Sequence, residues 1–324
     1  MGPDASLIDA IAVTEPRKAS LYFDVKRNTL DDGPGIRSVV FFKGCPLSCT
    51  WCQNPESINT GYELSYDAEK CISCNDCAPA CPEQAIDLSS PDKIVRDKCT
   101  QCFKCVEVCP SGALERCGND IDMDQLVSKV LEDEAFFEAS GGGVTVSGGE
   151  ALMQMESVGE LFSRLKERGI HTLIQTAGLF SYKMFEKLVL PYTDTIYFDL
   201  KLMDSEAHKE YCGVPNHSIH ENFGKVQALA RNSVIEVLPR VPLVPFITDT
   251  QENLSAIAEF MLEHAVEKMQ ILPYNPIWLD KLPRFGGVQR LDFGAGTSKF
   301  MPDIELDRCI DVFESRGIHV HCHR

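Results

Sequence analysis

The chain has 324 residues, of which 48 are acidic and 31 are basic, and its formal net charge at pH 7 is −17. Such an acidic balance repels phosphate backbones and argues against nucleic-acid binding, whereas a hydrophobic share of 44% is typical of a globular protein. No apolar run reaches the roughly 18 residues of a membrane helix, and residues 1–20 lack the apolar block of a secretory signal, so we expect a soluble cytoplasmic protein without a membrane partner.

In chain order, the first predicted feature is an N-terminal tail over residues 1–20. The apolar run 38–42 then predicts a buried strand, which ends just before a group of cysteines. Further along, the apolar positions of 123–131 fall on one helical face, and Asp122 with Gln125 is placed as a capping box at its start.

Beyond this helix, strand-like and helix-like segments alternate to the end of the chain. Strands are predicted at 144–147, 171–176, 195–200, 235–241 and 268–272, and helices near 157–168, 182–190, 219–230, 251–264 and 304–316. Such alternation predicts a parallel sheet with covering helices, as an open or closed α/β barrel.

The cysteines are the most informative residues. Eleven of the fifteen lie between residues 45 and 109, and in a reducing compartment such crowding at short, regular spacings indicates metal or cluster ligands rather than disulfides. They form three groups, which are Cys45, Cys49 and Cys52; Cys71, Cys74, Cys77 and Cys81; and Cys99, Cys102, Cys105 and Cys109.

The second and third groups repeat the pattern C-x2-C-x2-C-x3-C-P, so the segment 62–118 is an internal duplication and a candidate small domain. This pattern wraps three corners of a 4Fe–4S cluster, and the cysteine before proline reaches the cluster of the other repeat. By that rule one cluster is held by Cys71, Cys74, Cys77 and Cys109, and the other by Cys81, Cys99, Cys102 and Cys105. Zinc knuckles are the alternative, although zinc would leave a third cysteine of each repeat without a role. Two fully ligated clusters suit electron transfer.

The first group is incomplete. Cys45, Cys49 and Cys52 supply three thiolates, and no fourth cysteine lies nearby in the sequence. A cluster held by three ligands has one iron with free coordination sites, which can chelate a small molecule, much as an open catalytic metal site does. Three structural cysteines or a zinc site are the alternatives.

The first group, with Trp51 before its third cysteine, resembles the signature of the radical S-adenosylmethionine (SAM) superfamily. Neighbouring motifs narrow this to a resemblance to the activating enzymes of glycyl radical enzymes: TLDDGPGIR at 29–37, FKGCPL at 42–47, CQNPE at 52–56, GGVTVSGGE at 142–150 and DLK at 199–201. The resemblance runs from about residue 21 to the C-terminus. The inserted duplication matches the larger subgroup, which serves decarboxylases, dehydratases, lyases and hydrocarbon-succinate synthases; the short pyruvate formate-lyase activases lack it.

This resemblance implies a partial (β/α)6-type TIM barrel of the radical SAM kind with an inserted 2×4Fe–4S ferredoxin-like domain. The barrel would comprise residues 21–61 and 119–324, and the insert residues 62–118. The implied cofactors are SAM and three 4Fe–4S clusters. The implied partners are a glycyl radical enzyme and an external electron donor such as flavodoxin or ferredoxin.

The implied reaction is reductive cleavage of SAM to a 5′-deoxyadenosyl radical, which takes a hydrogen atom from a glycine of the partner enzyme. The cysteines of the first group would carry this chemistry, and Asp32 would help to hold the glycine-bearing loop, unless it serves only a turn. SAM contacts are implied for Trp51, Gln53, Gly148, Gly149, Glu150, Asp199, Leu200, Lys201, Arg240 and Asn275. An exposed ion pair is the alternative for Asp199 with Lys201, and a structural salt bridge is the alternative for Arg240.

Three positions depart from the family pattern. Gln175 stands where relatives usually carry an acid beside the SAM carboxylate, which weakens the expectation of a cation there. Asn275 replaces a histidine that many relatives have near the adenosyl group, and Phe246 replaces the usual glycine in the turn after Pro245.

The remaining cysteines, namely Cys117, Cys212, Cys309 and Cys322, are isolated in the sequence and are expected to be small buried hydrophobes. Three histidines crowd the C-terminus with Cys322, but the alternation there predicts a final strand rather than a metal site.

Two other functions stay open at this point. One is a radical SAM enzyme that acts on another protein side chain or on a small molecule. The other is an electron-transfer iron–sulfur protein in which the first cluster is vestigial.

Overall fold

The computed structural model describes residues 20–287 and 297–322 of the chain, so the predicted tail, apart from Ser20, and His323 lie outside the described residues. Within them, nine strands form one sheet in the order β11-β10-β9-β8-β7-β6-β2-β1-β5, and β3 and β4 form a separate pair. The strands are β1 (Leu21–Thr29), β2 (Arg37–Phe42), β3 (Glu63–Tyr66), β4 (Leu114–Cys117), β5 (Asn119–Asp120), β6 (Gly143–Gly148), β7 (His171–Thr176), β8 (Thr195–Asp199), β9 (Glu236–Pro242), β10 (Lys268–Leu272) and β11 (His319–Cys322).

The seven strands β2 and β6 to β11 run parallel, and neighbours in the sheet follow one another along the chain. This sequential order lacks the switch point of a doubly wound sheet and is that of a β/α barrel. The two outer strands β1 and β5 are antiparallel and form one edge, while β11 forms the other, so the barrel is partial.

The first two of the described α-helices are short and lie between β3 and β4, whereas the later ones connect the parallel strands and cover their outer face. In chain order the helices are α1 (Cys77–Ala80), α2 (Lys104–Glu107), α3 (Met123–Leu131), α4 (Glu134–Ser140), α5 (Met155–Lys166), α6 (Tyr182–Leu188), α7 (Ser205–Cys212), α8 (His217–Ala230), α9 (Gln251–Glu263) and α10 (Asp303–Glu314). Side-chain caps fix several starts: Asp122 accepts from the N–H of Gln125 at 3.1 Å, and Thr250 accepts from that of Asn253 at 3.2 Å. None of the helices described here is both long and apolar enough to span a membrane.

The two faces of the sheet differ in chemistry. The outer face, with Val144, Ile174 and Phe198, packs against the helices as the main apolar core. The inner face carries polar side chains in cross-strand rows, because Asp199 lies opposite Arg240, which in turn lies opposite Gln270. The barrel interior is therefore built to surround something polar rather than to close on itself.

The segment between β2 and β6 contains the duplicated cysteines. Its β3 and β4 pair antiparallel, with Glu63 opposite Cys117 and Tyr66 opposite Leu114. It has an apolar cluster of its own, which includes Leu64, Ile94 and several of the cysteines. We call residues 62–118 the insert.

The strands and helices predicted from sequence are confirmed, each with bounds within two residues of those in the structure, including the helix at Met123–Leu131 and the final strand at His319–Cys322. The strand Leu21–Thr29, which precedes the confirmed strand at 38–42, was not predicted. The earlier strand was missed because its burial does not alternate; two register irregularities shift its side chains.

Candidate active site at the carboxyl edge of the sheet

The predicted site residues of the barrel meet at one edge of the sheet. The cysteine loop 45–52 follows β2, Gly149 and Glu150 follow β6, and Lys201 lies just beyond β8. Parallel strands present their carboxyl ends at the same edge, which is where β/α barrels carry their functional groups. Motifs that lie far apart in the sequence therefore come together at one edge of the sheet.

Backbone hydrogen bonds hold the cysteine loop. The N–H of Cys45 donates to Ile58 O at 3.1 Å, and that of Cys52 donates to Cys49 O at 3.1 Å. Leu47 and Trp51 are buried beneath the loop, at 2% and 5% exposure, and anchor it in an apolar cluster. Three soft thiol ligands on one anchored loop are a donor set suited to an iron–sulfur cluster.

A fourth thiol lies beside this loop. Cys212, at the end of α7, is fully buried, and the neighbouring Cys49 thiol raises its pKa. The N–H of Ser48 donates to Cys212 O at 2.9 Å, and Gly213 has a φ of +86° that lets the chain turn past Ser48. Cys212 is buried as expected, but it is not isolated in space. Sequence reasoning missed this contact because about 160 residues separate the two thiols.

Gly148 ends β6 and Gly149 follows it, and both press against the backbone that leads into the cysteine loop. Gly148 has a φ of +110°, and a Cβ added at Gly149 would lie 2.2 Å from Gly44 O. The N–H of Glu150 donates to that same oxygen at 2.8 Å. A side chain at Gly149 would therefore push the strand end away from the loop.

Glu150 is a buried acid. Its Oε2 accepts from the Thr176 hydroxyl at 2.8 Å and from the N–H of Ala177 at 2.9 Å, and its Oε1 accepts from the N–H of Leu152 at 3.2 Å. Burial raises the pKa of Glu150 to about 7, although these three donors oppose the rise. In this arrangement the carboxyl group ties the end of β6 to the end of β7.

Asp199, Lys201 and Arg240 form an ion triad. Arg240 Nε donates to Asp199 Oδ1 at 2.8 Å, and Lys201 Nζ lies 3.2 Å from Asp199 Oδ2. Burial alone would raise the pKa of Asp199, but the charges of Arg240 and Lys201 hold it below its usual range. Because the side chain of Lys201 is only one-tenth exposed, Asp199 and Lys201 do not form the exposed ion pair considered as an alternative. With two cations and one carboxylate, the triad carries one net positive charge.

Gln270 extends the same cross-strand row beyond Arg240. It is 4% exposed, and its Oε1 has no hydrogen-bond partner among the described residues. A buried carbonyl oxygen without a donor is costly in a closed protein. Together with the charge of the triad, it indicates that this part of the interior is shaped for a polar ligand, and the residues present fit a nucleotide with a carboxylate.

The turn before β2 folds into the barrel. Gln175 Nε2 donates to Asp32 Oδ1 at 3.0 Å, and the Ser147 hydroxyl donates to Gln175 Oε1 at 2.8 Å. Arg37, which is fully buried, donates to Pro34 O at 3.2 Å and to Thr145 Oγ1 at 2.7 Å. The amide of Gln175, which departs from the family pattern, thus fixes Asp32 beside the site.

Gln53 and Asn275 meet on the far side of the cysteine loop. Gln53 Nε2 donates to Asn275 O at 3.1 Å, and Lys281 Nζ donates to Gln53 O at 2.9 Å.

Leu200 is buried and donates its N–H to Arg240 O at 2.8 Å. Phe246 lies on an exposed turn, with a φ of +66° and a side chain that is 66% exposed.

The insert presents its cysteines on two short helices and their flanking loops. Cys74 and Cys102 are exposed, whereas Cys77 and Cys105, which hold matching places in the two repeats, are buried. Across residues 20–287 and 297–322, no three His, Cys, Asp or Glu side chains converge as a single metal ion requires. A 4Fe–4S cluster distributes its thiolates over different irons, so the arrangement gives no support to a mononuclear zinc site.

Ion pairs and hydrogen bonds dock the insert onto the barrel. Lys43 is fully buried and pairs with Glu63 of the insert at 2.8 Å. Arg96 of the insert donates to Arg284 O at 2.9 Å, and Arg284 pairs with Asp67 at 3.2 Å. The insert is therefore held beside the cysteine loop, because Lys43 directly precedes that loop.

Comparisons with known proteins agree with this geometry. A family model described as a 4Fe–4S dicluster domain matches residues 63–110. The chain is 34% identical to the (2S)-3-sulfopropanediol dehydratase activating enzyme of Klebsiella oxytoca, in an alignment that covers 92% of this chain and 95% of the relative. It is 39% identical to the trans-4-hydroxy-L-proline dehydratase activating enzyme of Clostridioides difficile, over 79% of this chain and 85% of the relative.

Among solved structures, a radical SAM methyltransferase from Sphaerobacter thermophilus superposes with a TM-score of 0.52 at 12% sequence identity. The match covers 100% of this chain and 82% of that structure. A likeness at this level of identity concerns the fold alone, and it agrees with the partial barrel described above.

Proposed function

We propose that the carboxyl-edge site binds SAM and one 4Fe–4S cluster and that the chain carries three clusters in all, because this chain belongs to the activating enzymes of glycyl radical enzymes. These enzymes use SAM and 4Fe–4S chemistry to generate a radical on a glycine of a partner enzyme. The first cluster would be held by Cys45, Cys49 and Cys52. When bound there, cluster and SAM together supply the one-electron cleavage that produces the 5′-deoxyadenosyl radical.

The observation that carries this proposal is that the cysteine loop and the ion triad lie together at the carboxyl edge of the sheet. The loop contributes three thiols, and the fourth nearby thiol, Cys212, is fully buried. At the same edge, Lys201 and Arg240 outnumber Asp199 in charge, which favours a carboxylate ligand. A site that combines three thiols with net positive charge fits a cluster and the carboxylate of SAM.

We assign the remaining residues by what they touch. Gly148 and Gly149 leave the backbone at the end of β6 free of side chains, so that it can approach the SAM amino group. Glu150 holds this strand end in place through its three hydrogen bonds. Gln53, Trp51 and Asn275 would line the adenine side, and Asp32 would meet the partner's glycine-bearing loop.

The insert, residues 62–118, is proposed to act as a ferredoxin-like domain. Cys71, Cys74, Cys77 and Cys109 would hold one cluster, and Cys81, Cys99, Cys102 and Cys105 the other. An external one-electron donor protein would reduce these clusters, and the docked position of the insert beside Lys43 would allow electrons to pass inward. The acidic surface expected from a net charge of −17 favours a donor with basic residues at its contact.

Iron and turnover measurements on anaerobically reconstituted protein test the proposal. We expect about twelve irons per chain, four for each cluster, and formation of 5′-deoxyadenosine under dithionite. C49A should lose about four irons and all SAM cleavage, whereas C309A, which also removes a buried thiol, should lose neither. A wild-type chain that binds zinc, or that holds about eight irons and does not cleave SAM, would contradict the assignment.

A second comparison addresses the role of the insert. C102A should slow cleavage more strongly with a protein donor than with dithionite, because the small reductant can reach the first cluster directly. Equal losses with both reductants would instead indicate a structural role for the insert clusters.

A further inference from the structure

The two repeats of the insert allow an internal comparison. Cys99 follows Cys71 by 28 residues, and the same offset relates Lys93 to Ser65 and Ile94 to Tyr66. Any contact that one repeat makes to a cluster can therefore be checked at the matching position of the other repeat.

Two side chains contact the thiol of Cys71. Lys93 Nζ lies 3.1 Å from its Sγ, and the neighbouring Tyr66 hydroxyl lowers the pKa of this thiol. Lys93 also lies over the Tyr66 ring, 5.8 Å from the centroid, so the two groups support each other. Lys93 adopts a φ of +51°, and its carbonyl accepts from the N–H of Asp87 at 2.8 Å, which fixes the turn that carries it.

The matching contacts cannot form at Cys99. The position equivalent to Lys93 is Ser65, which is short and uncharged, and the position equivalent to Tyr66 is Ile94, which has no polar atom in its side chain. Arg96 stands three residues before Cys99, but its guanidinium donates to the carbonyls of Leu64 and Arg284, both at 2.9 Å.

The backbone donors to sulfur balance between the repeats, whereas the Ser111 hydroxyl also lies 3.8 Å from Cys109 Sγ, in the same proposed cluster as Cys71. The Cys81 thiol accepts from the backbone N–H of Ala85 at 3.3 Å, and the Cys109 thiol accepts from that of Leu114 at 3.5 Å. Each of the two cysteines that precede proline therefore has one backbone donor. The direct contact between a lysine and a cluster thiol is made at Cys71.

We propose that Lys93 and Tyr66 raise the reduction potential of the cluster that Cys71 helps to hold, so that it accepts an electron before the other insert cluster does. A positive charge and hydrogen bonds at a cluster sulfur stabilise the added negative charge of the reduced state. Lys93 and Tyr66 are positioning residues in this account, since they act through Cys71. The inference depends on the proposed pair of insert clusters.

A redox titration of the full chain, followed by electron paramagnetic resonance (EPR), tests this inference. The wild type should show two separate reduction steps from the insert, while the first cluster is identified by its response to SAM. In K93M the higher-potential step should move down towards the lower one. At the wild-type midpoint, its ratio of reduced to oxidised cluster should fall about tenfold, equivalent to about 59 mV for one electron.

Three variants make the result decisive. K93R keeps the charge and should retain the wild-type step. K70M removes a lysine that is adjacent to Cys71 in sequence but pairs with Glu115 at 3.2 Å, and it should shift the step by less than K93M does. Y66F should lower the same step, and it serves as the test if K93M assembles fewer irons.

An unchanged higher step in K93M, or in Y66F where K93M fails to assemble, overturns the inference. Equal shifts in K93M and K70M also overturn it, because they would show a general charge effect. A failure of the proposed function can be told apart from a failure of this inference, because a chain without insert clusters would already hold fewer irons.

Discussion

The ion triad makes a quantitative prediction for Asp199→Asn. The carboxylate is contacted by Arg240 at 2.8 Å and by Lys201 at 3.2 Å, and the side chains of these two cations are 8% and 10% exposed. The amide can still accept a hydrogen bond, but it leaves two nearly buried cations on neighbouring strands without a counter-charge. The substitution therefore removes an attraction and adds a repulsion.

The expected loss follows from burial. Removing one partner of a buried ion pair costs about 3–5 kcal/mol, and we take about 3 kcal/mol because Asp199 is itself 19% exposed. The pKa of Asp199 is lowered in the folded protein. The carboxylate therefore stabilises the folded state fully above the ordinary carboxyl pKa, and this stabilisation is lost as the pH falls through the lowered pKa of Asp199. The effect of D199N should accordingly be complete at pH 7.

Thermal unfolding of the reconstituted protein measures this loss. For a chain of this length about 3 kcal/mol corresponds to a decrease of roughly 6 °C in Tm. The matched control is Glu236→Gln, which breaks an exposed pair with Lys268 on the adjacent strands β9 and β10 and should change Tm by about 1 °C or less. A decrease in D199N no larger than that in E236Q would refute the reasoning about the buried triad.

Three further predictions concern single side chains. Because the pKa of Glu150 is raised, its contribution to folding stability falls as the pH rises through about 7. Between pH 5 and pH 8 the unfolding free energy of the wild type should therefore decrease by about 2.5 kcal/mol relative to that of E150Q, as measured by thermal unfolding. C212A should lower the midpoint potential of the first cluster in an EPR titration, whereas C309A, also fully buried, should not. F246G should raise Tm by about 2 °C, because glycine relieves about 1 kcal/mol of left-handed backbone strain, and the 66% exposed ring loses little burial. The first expectation is contradicted if the wild type and E150Q show the same pH dependence of stability. The second is contradicted if C212A and C309A give the same midpoint potential, and the third if F246G has a lower Tm than the wild type.

The elements that sequence reasoning predicted are those whose burial repeats regularly. Residues His171–Thr176 and Lys268–Leu272 are almost continuously apolar or buried, so their strands were placed to the residue. The helix Ser205–Cys212 was not predicted, because it has few apolar residues on its buried side, although Asp204 caps it at 2.8 Å. Local patterns thus predicted most of the barrel and overlooked elements that tertiary contacts stabilise.

The site divides in the same way. The cysteine spacings and the motifs at 147–150 and 199–201 follow from short stretches of sequence, so their residues could be named in advance. The contact of Cys212 with Cys49 and the link from Gln175 to Asp32 join distant segments, and only the packing of the sheet brings them together. Lys93 at Cys71 was missed for a related reason, since the lysine belongs to one repeat and its partner to the other.

The buried ammonium of Lys43 has a consequence for dissecting the molecule. Its counter-ion, Glu63, is contributed by the insert, while the lysine itself directly follows the barrel strand β2 and precedes the cysteine loop. Excising the insert would leave this buried charge without its counter-ion next to the cysteine loop. The insert is therefore not a detachable module, and a shortened chain needs a neutral side chain in place of Lys43 before it can fold around its first cluster.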